Sequence, residues 1–310
     1  MDIIYNTEIF NNEQRANLNR FLNDRITELN DHLELESLKS IIVTSDFFLD
    51  VIKFQRDHGL SEHGATNTEH GQAVAKVLKH YSEDDKLQQS IIFSDNILYG
   101  LFSEKEIANK SFHYLHHELC HIHDNANLER VYSQDGKRGV GLTHLEHMLI
   151  IRADIIWREY IVERLSYTTV ESESFGNLIG YLLYLIKNIK EVIDKDIQEY
   201  RIHANINKFM KCLEENSSLL LKIAATVCGT LHSLKENNEV ISMVNDAVEQ
   251  KGFTDVWDSL NQRLQDLFEK YPNWNDVYEL KGLGETVLKY WNTLSVYPEM
   301  TKEGMYVSIP

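Results

Sequence analysis

Hydrophobic and polar positions follow two patterns along this chain, and the change between them separates a mixed first part from a helical second part. In the first part, short runs rich in β-branched residues predict strands, and spacings of three or four predict helices. The segment 73–80 fits either a helix or a strand that forms a hairpin with the next segment. The other predicted elements are a helix over 11–29, a strand over 38–44, a helix over 47–54, a loop over 57–71, and strands over 90–94 and 97–99 joined by a turn at 95–96.

From residue 103 onward, apolar residues recur every three or four positions, which is typical of amphipathic helices. The run Ser-Glu-Lys-Glu at 103–106 matches a capping box and predicts the start of a helix. The apolar stripes that follow indicate the core of a helix bundle. The predicted elements are a loop over 124–141, a helix over 142–167, a linker over 168–174, and helices over 178–200, 219–234 and 257–271.

Composition narrows the class of protein. The chain has 310 residues, of which 43% are hydrophobic and 25% charged, as is usual for a globular protein. At about 150 residues per domain, this length predicts about two domains. The net charge of −17 disfavours general binding to nucleic acid or to an anionic membrane, because both would repel the chain. No cluster of lysine and arginine with interleaved aromatic residues counters that charge.

The sequence also predicts a compartment. Its first residues lack the basic and apolar segments of a signal peptide, and no apolar run approaches the roughly 18 residues that a membrane span needs. The three cysteines show no C-x-x-C spacing, which predicts reduced thiols rather than a disulfide framework. We therefore expect a cytoplasmic protein without a membrane partner.

Histidine is concentrated in one segment, since five of the 14 histidines fall between residues 113 and 123. Within it, residues 117–121 (HELCH) form an H-E-x-x-H motif on a predicted helix. Side chains four residues apart project from one helical face, so the imidazoles of His117 and His121 can reach one Zn²⁺ ion. Glu118 can accept a proton from metal-bound water and pass it to a leaving amine. The motif predicts a zinc site with a glutamate as general base.

This motif resembles the active-site motif of the zincin metallopeptidases. The metzincin branch would have Gly and His where Asp124 and Asn127 stand, which excludes that branch. Resemblance to the gluzincins implies a glutamate ligand from a later helix, followed four residues later by a carboxylate that orients a ligand histidine. It therefore implies Glu159 as the third ligand and Glu163 as the orienting carboxylate.

Other candidates remain open for the third ligand. Glu163 itself, Asp154, His144 and His147 are alternatives, although the two histidines are better interpreted as surface residues. In a typical acidic chain, Glu159 and Glu163 would be interpreted as part of a solvated helix face. An H-E-x-x-H motif that still needs a third ligand favours Glu159 as that ligand instead.

The remaining side chains near the motif receive structural interpretations. His113 shares the face of His117 but is expected at the surface, and His116 and His123 lie on other faces. Cys120 is expected to pack as a small hydrophobic residue. Tyr160 and His144 are candidates for stabilising an oxyanion.

The order of predicted elements over residues 38–167 is similar to that of the compact ImmA/IrrE-like intracellular gluzincins. The resemblance implies an α+β, predominantly helical fold. In it, a minimal zincin domain over 1–170, with a small antiparallel sheet, precedes an all-α domain over 171–310 that selects the substrate or oligomerises. An edge strand among residues 90–102 is expected to pair with the extended peptide substrate.

The implied function is that of a zinc-dependent hydrolase, a cytoplasmic endopeptidase that cleaves a protein or peptide partner. The alternative is a non-enzymatic helical interaction protein with a structural or vestigial metal site. Hydrolysis of a small amide by the same metal chemistry is a third hypothesis. Motifs for a nucleophilic serine, for dinucleotides and for phosphate loops are absent, and so is the second E-x-x-H that a di-iron bundle needs.

Overall fold

A computed structural model describes residues 1–65, 67–68, 71–133, 141–234 and 238–310 of the chain. These residues form two compact units, the first made of Met1–Glu129 and Thr168–Glu171 and the second of Arg130–Tyr167 and Ser172–Pro310. Most described residues are helical, and a small mixed sheet lies in the first unit. The prediction of a predominantly helical α+β chain is therefore confirmed. None of the described helices is long and apolar enough to cross a membrane.

The first unit contains a four-stranded sheet in the order β1-β2-β6-β5. Strands β1, β2 and β6 run parallel, and only β5 pairs antiparallel with β6. The expected antiparallel sheet is therefore wrong, because helix α1 carries the chain back to the same end of the sheet before β2 begins. The elements are β1 (Asp2–Asn6), α1 (Asn12–Leu29), β2 (Leu38–Thr44), α2 (Phe47–Asp57), β3 (Asn67–Thr68), β4 (Gly71–Gln72), β5 (Ala75–Tyr81), β6 (Leu87–Ser94), α3 (Asp95–Tyr99) and α4 (Lys105–Ser133).

The two central strands, β2 and β6, are buried on both faces, which explains their continuous hydrophobic runs. Ile41 and Ile91 pair with each other and are fully buried. Their neighbours Ile42 and Ile92 point to the other face, where they pack with Val51 of α2 in one hydrophobic cluster. A strand over 38–44 could be predicted because this burial leaves a local sequence pattern.

The structure decides between the two alternatives for residues 73–80 and corrects the prediction for residues 95–99. The strand alternative for 73–80 is confirmed, since β5 forms a hairpin with β6. The turn and strand predicted over 95–99 are wrong, because these residues form the helix α3. The carboxylate of Asp95 accepts a hydrogen bond of 2.5 Å from the Thr7 hydroxyl, a contact that local turn propensity does not reveal. Residues 66, 69 and 70 of the loop predicted over 57–71 lie outside the described residues.

Helix α4 starts at Lys105, as the capping-box pattern predicts, and it continues to Ser133. The loop predicted over 124–141 is therefore wrong up to residue 133, and residues 134–140 lie outside the described part of the chain. The asparagines that suggested a loop make side-chain hydrogen bonds inside the structure. Asn125 donates to the Gln89 side chain at 2.8 Å, and Asn127 donates to the His123 carbonyl at 3.1 Å.

The second unit is a helical array in which α5 packs against α7 and α10. Because of these contacts α5 is grouped with the C-terminal helices, whereas the sequence placed it with the first domain. The sequence patterns did not predict α8, α10 or the C-terminal hairpin. The second unit begins with the last four residues of α4. Its other elements are α5 (His144–Ser166), α6 (Ser172–His203), α7 (Ile206–Ser233), α8 (Asn238–Glu249), α9 (Thr254–Lys270), α10 (Lys281–Thr293), β7 (Tyr297–Thr301) and β8 (Gly304–Ser308).

Helices α5 and α7 come into close contact at Gly229. A Cβ atom added there would lie 2.6 Å from the Tyr160 carbonyl oxygen and 3.0 Å from the Glu163 Cβ atom. We expect Gly229→Ala to lower the free energy of unfolding by about 1–3 kcal/mol, because overpacking of the backbone outweighs the gain in helix propensity. Urea unfolding of the purified variant measures this change.

Gly180 on α6 offers a matched control. An added Cβ at Gly180 meets no atom within 4 Å, so Gly180→Ala should stabilise the protein by up to about 1 kcal/mol through helix propensity alone. Equal changes in the two variants would contradict the close contact between α5 and α7.

Candidate metal centre

His117 and His121 lie on successive turns of α4 in the first unit, as their spacing of four residues requires in a helix. Their ring centroids are 5.0 Å apart, and one nitrogen of each ring lies within 4.8 Å of a nitrogen of the other. Both side chains, and that of Glu118, are partly exposed. The two imidazoles can therefore hold one metal ion with only side-chain adjustment, and Glu118 lies beside them in the chain.

The opposite face of α4 is anchored on the sheet. Leu119, Cys120 and Ile122 are fully buried, and Cys120 is a free thiol, as expected for a small hydrophobic residue. The buried amide of Gln89 on β6 donates to the Ile122 carbonyl at 2.9 Å. A helix held both by apolar packing and by a hydrogen bond from a central strand gives the two histidines a rigid base.

Thr169, which the sequence analysis missed, fixes the first half of the histidine segment. Its hydroxyl lies 3.0 Å from Nδ1 of His113 and 3.1 Å from Nδ1 of His116. Close by in the chain, the Glu171 carboxylate accepts a 3.0 Å hydrogen bond from Asn109. These contacts explain why Thr168–Glu171 belongs to the first unit. No local pattern in a threonine-rich segment identifies such a partner.

Two histidines of α4, His116 and His123, have lowered pKa values. Burial lowers the pKa of His116 and of His123 to about 4, so both rings are neutral at pH 7. Nδ1 of His123 accepts a 2.8 Å hydrogen bond from the Glu34 amide, so this ring ties α4 to the segment before β2. His116 and His123 thus join α4 to other segments of the first unit through hydrogen bonds.

Glu159 and Glu163 lie one turn apart on α5 in the second unit, and each contacts α7. Glu159 forms a 2.9 Å ion pair with Lys222, and its side chain is 17% exposed. Glu163 is only 4% exposed and accepts a 3.1 Å hydrogen bond from the Thr230 hydroxyl. A solvated acidic face is therefore the wrong interpretation of Glu163.

The other residues considered as a third ligand, Asp154, His144 and His147, either have hydrogen-bond partners or lie at the surface. Asp154 accepts a 3.0 Å hydrogen bond from Arg158 and a short one from the Tyr132 hydroxyl. His144 and His147 are exposed at the start of α5, which confirms their interpretation as surface residues.

Tyr160 does not fit the expected oxyanion role. Its side chain is fully buried, and its hydroxyl contacts His232 at 3.0 Å and Arg164. Burial raises the pKa of Tyr160 to about 12, so the hydroxyl stays protonated inside the helix packing. A hydroxyl that packing encloses in this way is not open to a substrate.

The strand expected to bind a substrate is also corrected. Residues 90–94 belong to β6, which pairs with β2 on one side and with β5 on the other, and helical turns follow over 95–102. A strand with neighbours on both sides has no free hydrogen-bonding edge. The edge strand expected among residues 90–102 is therefore wrong, and β1 and β5 are the outer strands of this sheet.

Within the first unit, the imidazoles of His117 and His121 thus offer two donors for one metal ion. Glu159, the third ligand that the resemblance implies, belongs to the second unit. Two imidazoles and one carboxylate are the donor types of many catalytic zinc sites. Comparisons of this chain with protein-family models, with curated proteins and with solved structures found no match.

Proposed function

We propose that this protein is a zinc-dependent hydrolase, an endopeptidase of the cytoplasm that cleaves a protein partner. The observation that carries the proposal is the pair of imidazoles on α4, whose ring nitrogens lie within 4.8 Å of each other, with Glu118 next to His117 in the chain. The resemblance of residues 117–121 to the zincin motif supports the same chemistry. In this proposal, the extended substrate pairs with the outer edge of β5 instead of with a strand among residues 90–102.

Each side chain has one role in the proposed mechanism. His117, His121 and Glu159 would hold Zn²⁺, which would supply a water molecule with a pKa lowered toward about 7. Glu118 would accept a proton from that water and deliver it to the leaving amine. Glu163 would accept the second N–H of a ligand histidine and so hold its ring in one tautomer.

The donors present fit a zinc ion. An imidazole binds metal in its neutral form, and a carboxylate in its ionised form. The ammonium group of Lys222, 2.9 Å from Glu159, favours the ionised carboxylate. A zinc ion held by two imidazoles and a carboxylate would keep room for a water molecule, as catalysis requires.

Metal analysis of the purified protein tests this function. We expect about one zinc per chain, together with hydrolysis of unstructured peptides that stops on dialysis against a chelator and returns when zinc is added. A metal-free protein with an intact fold would contradict the proposal. Bound zinc without cleavage of any peptide would favour the interaction protein, and cleavage confined to small amides would favour the third hypothesis.

A further inference from the structure

The second unit contains a cavity of about 420 Å³ between the end of α7 and the helices α8 and α9. Its most buried lining residues are Leu231 and Trp257, which are 4% and 2% exposed. Ile241 adds a third apolar side chain, and the polar lining residues are His232, Asn245, Asp258, Asn261, Gln262 and Gln265. His232 and Asn261 are partly buried, and the other four polar residues are exposed. The volume is within the range of about 300–1,000 Å³ that is typical of sites for small molecules.

Two partly buried polar residues of this cavity, His232 and Asn261, belong to a hydrogen-bond chain with a defined direction. Asn261 donates from its amide nitrogen to the Trp257 carbonyl at 2.8 Å, so its oxygen accepts from Nε2 of His232 at 3.0 Å. Nδ1 of His232 then accepts from the Tyr160 hydroxyl at 3.0 Å. Burial lowers the pKa of His232 to about 4, which agrees with a neutral ring that donates at one nitrogen and accepts at the other.

His232 and Asn261 are thus held in one arrangement before any ligand enters. A third contact adds to this, because Nε1 of Trp257 donates to the Asn245 side chain at 2.9 Å and joins α9 to α8. Binding sites whose polar groups are already oriented lose less entropy when a ligand is bound.

The charge and polarity of the lining select the class of ligand. Asp258 supplies a carboxylate, and several carboxamides accompany it, whereas no lysine or arginine is among the described lining residues. A phosphorylated ligand would meet the charge of Asp258, and none of the described lining residues is a cation that would compensate it. A hydroxyl group, in contrast, can donate to Asp258 and accept from an amide N–H, and the apolar side chains can contact the C–H face of a ring.

We propose that this cavity binds an uncharged sugar or cyclic polyol. The proposed site lies wholly within the second unit and does not depend on the metal centre. Its polar contacts come from Asp258 and the carboxamides of α8 and α9. The chain that runs from Asn261 to Tyr160 holds Asn261 and His232 in position behind them.

Calorimetry of the 310-residue chain with defined probes tests this site. The uncharged probes are D-glucose, D-galactose, N-acetyl-D-glucosamine and myo-inositol, and the charged probes are D-glucose 6-phosphate and spermidine. We expect saturable binding of at least one uncharged probe, and binding of both charged probes that is at least about tenfold weaker. No saturable binding of the four uncharged probes would overturn the proposal, and so would tighter binding of a charged probe.

A variant pair locates the binding. Asp258→Asn keeps the shape of the side chain but removes the charged acceptor, so affinity for the bound probe should fall about tenfold. Asp246→Asn, an exposed position of α8 outside the lining, should leave the affinity unchanged.

In NMR spectra, the ring signals of His232 should shift with the same midpoint as the calorimetric titration, since its Nε2 contacts Asn261. An unchanged affinity in Asp258→Asn would overturn the assignment, as would an equal loss in Asp246→Asn. Urea unfolding of both variants verifies that they are folded.

Discussion

Replacing His117 with alanine should remove zinc from the purified protein. Loss of one of three protein ligands leaves too few donors, and changes of residues that only support a ligand already cost about 10–100-fold in metal affinity. We therefore expect zinc affinity to fall by more than about 100-fold. Elemental analysis after gel filtration measures the retained zinc, and competition with a chromophoric chelator measures the affinity.

The control is His144→Ala, which removes an exposed histidine at the start of α5. This variant should retain as much zinc as the unmodified protein. Because His117 is partly exposed, His117→Ala should unfold at nearly the same urea concentration as the metal-free protein. Full zinc content in folded His117→Ala would exclude this residue as a ligand.

Replacing Glu118 with glutamine should abolish peptide hydrolysis while zinc stays bound. Glutamine has nearly the same shape, but its amide cannot accept a proton from the attacking water. Removal of a general base typically lowers the rate by about 10²–10⁴-fold. Initial rates and zinc content measured on the same sample separate loss of catalysis from loss of metal.

Glu106→Gln is the matched control on the same helix. Glu106 is exposed near the start of α4, where it forms a 3.0 Å ion pair with Lys110. Such surface pairs contribute little, so this variant should keep the activity and zinc content of the unmodified protein. If Glu118→Gln stays active with zinc bound, Glu118 is not the general base. If it loses zinc as well, Glu118 supports the metal site rather than proton transfer.

Much of the helical structure could be predicted because helices leave a local pattern. The spacing of apolar residues indicated α1, α5 and α9, and a short capping sequence marked the start of α4. Helix α4 also shows the limit of this reasoning. Asn125 and Asn127 suggested a loop, but their amides find hydrogen-bond partners inside the structure.

The sheet was harder to predict, because strand order and direction depend on segments that are distant in the chain. The strands over 38–44 and 90–94 were recognised, but β1 was not, and the parallel direction of the three strands was not predicted. The hydrophobic run that begins at residue 90 has the same pattern in an edge strand and in a central one. Only its pairing with both β2 and β5 shows that β6 has no free edge for a substrate.

The surroundings of the candidate site were also beyond the reach of the sequence. Thr169 contacts two histidines of α4, Thr230 contacts Glu163, and Lys222 pairs with Glu159. Each partner lies more than 50 residues from the group it contacts, and none belongs to a motif. Gly229 is a similar case, since only the packing of α5 on α7 explains why a side chain is missing there.

By itself, the sequence determined which residues can perform the proposed chemistry, because 3.6 residues per turn places His117 and His121 on one face in any α-helix. That relation is local and needs no knowledge of the rest of the chain. Only the tertiary structure decided the direction of the strands, the burial of Glu163 and Tyr160, and the side chains that hold the histidines of α4. Such contacts depend on how distant segments pack together, and a single sequence does not record that packing.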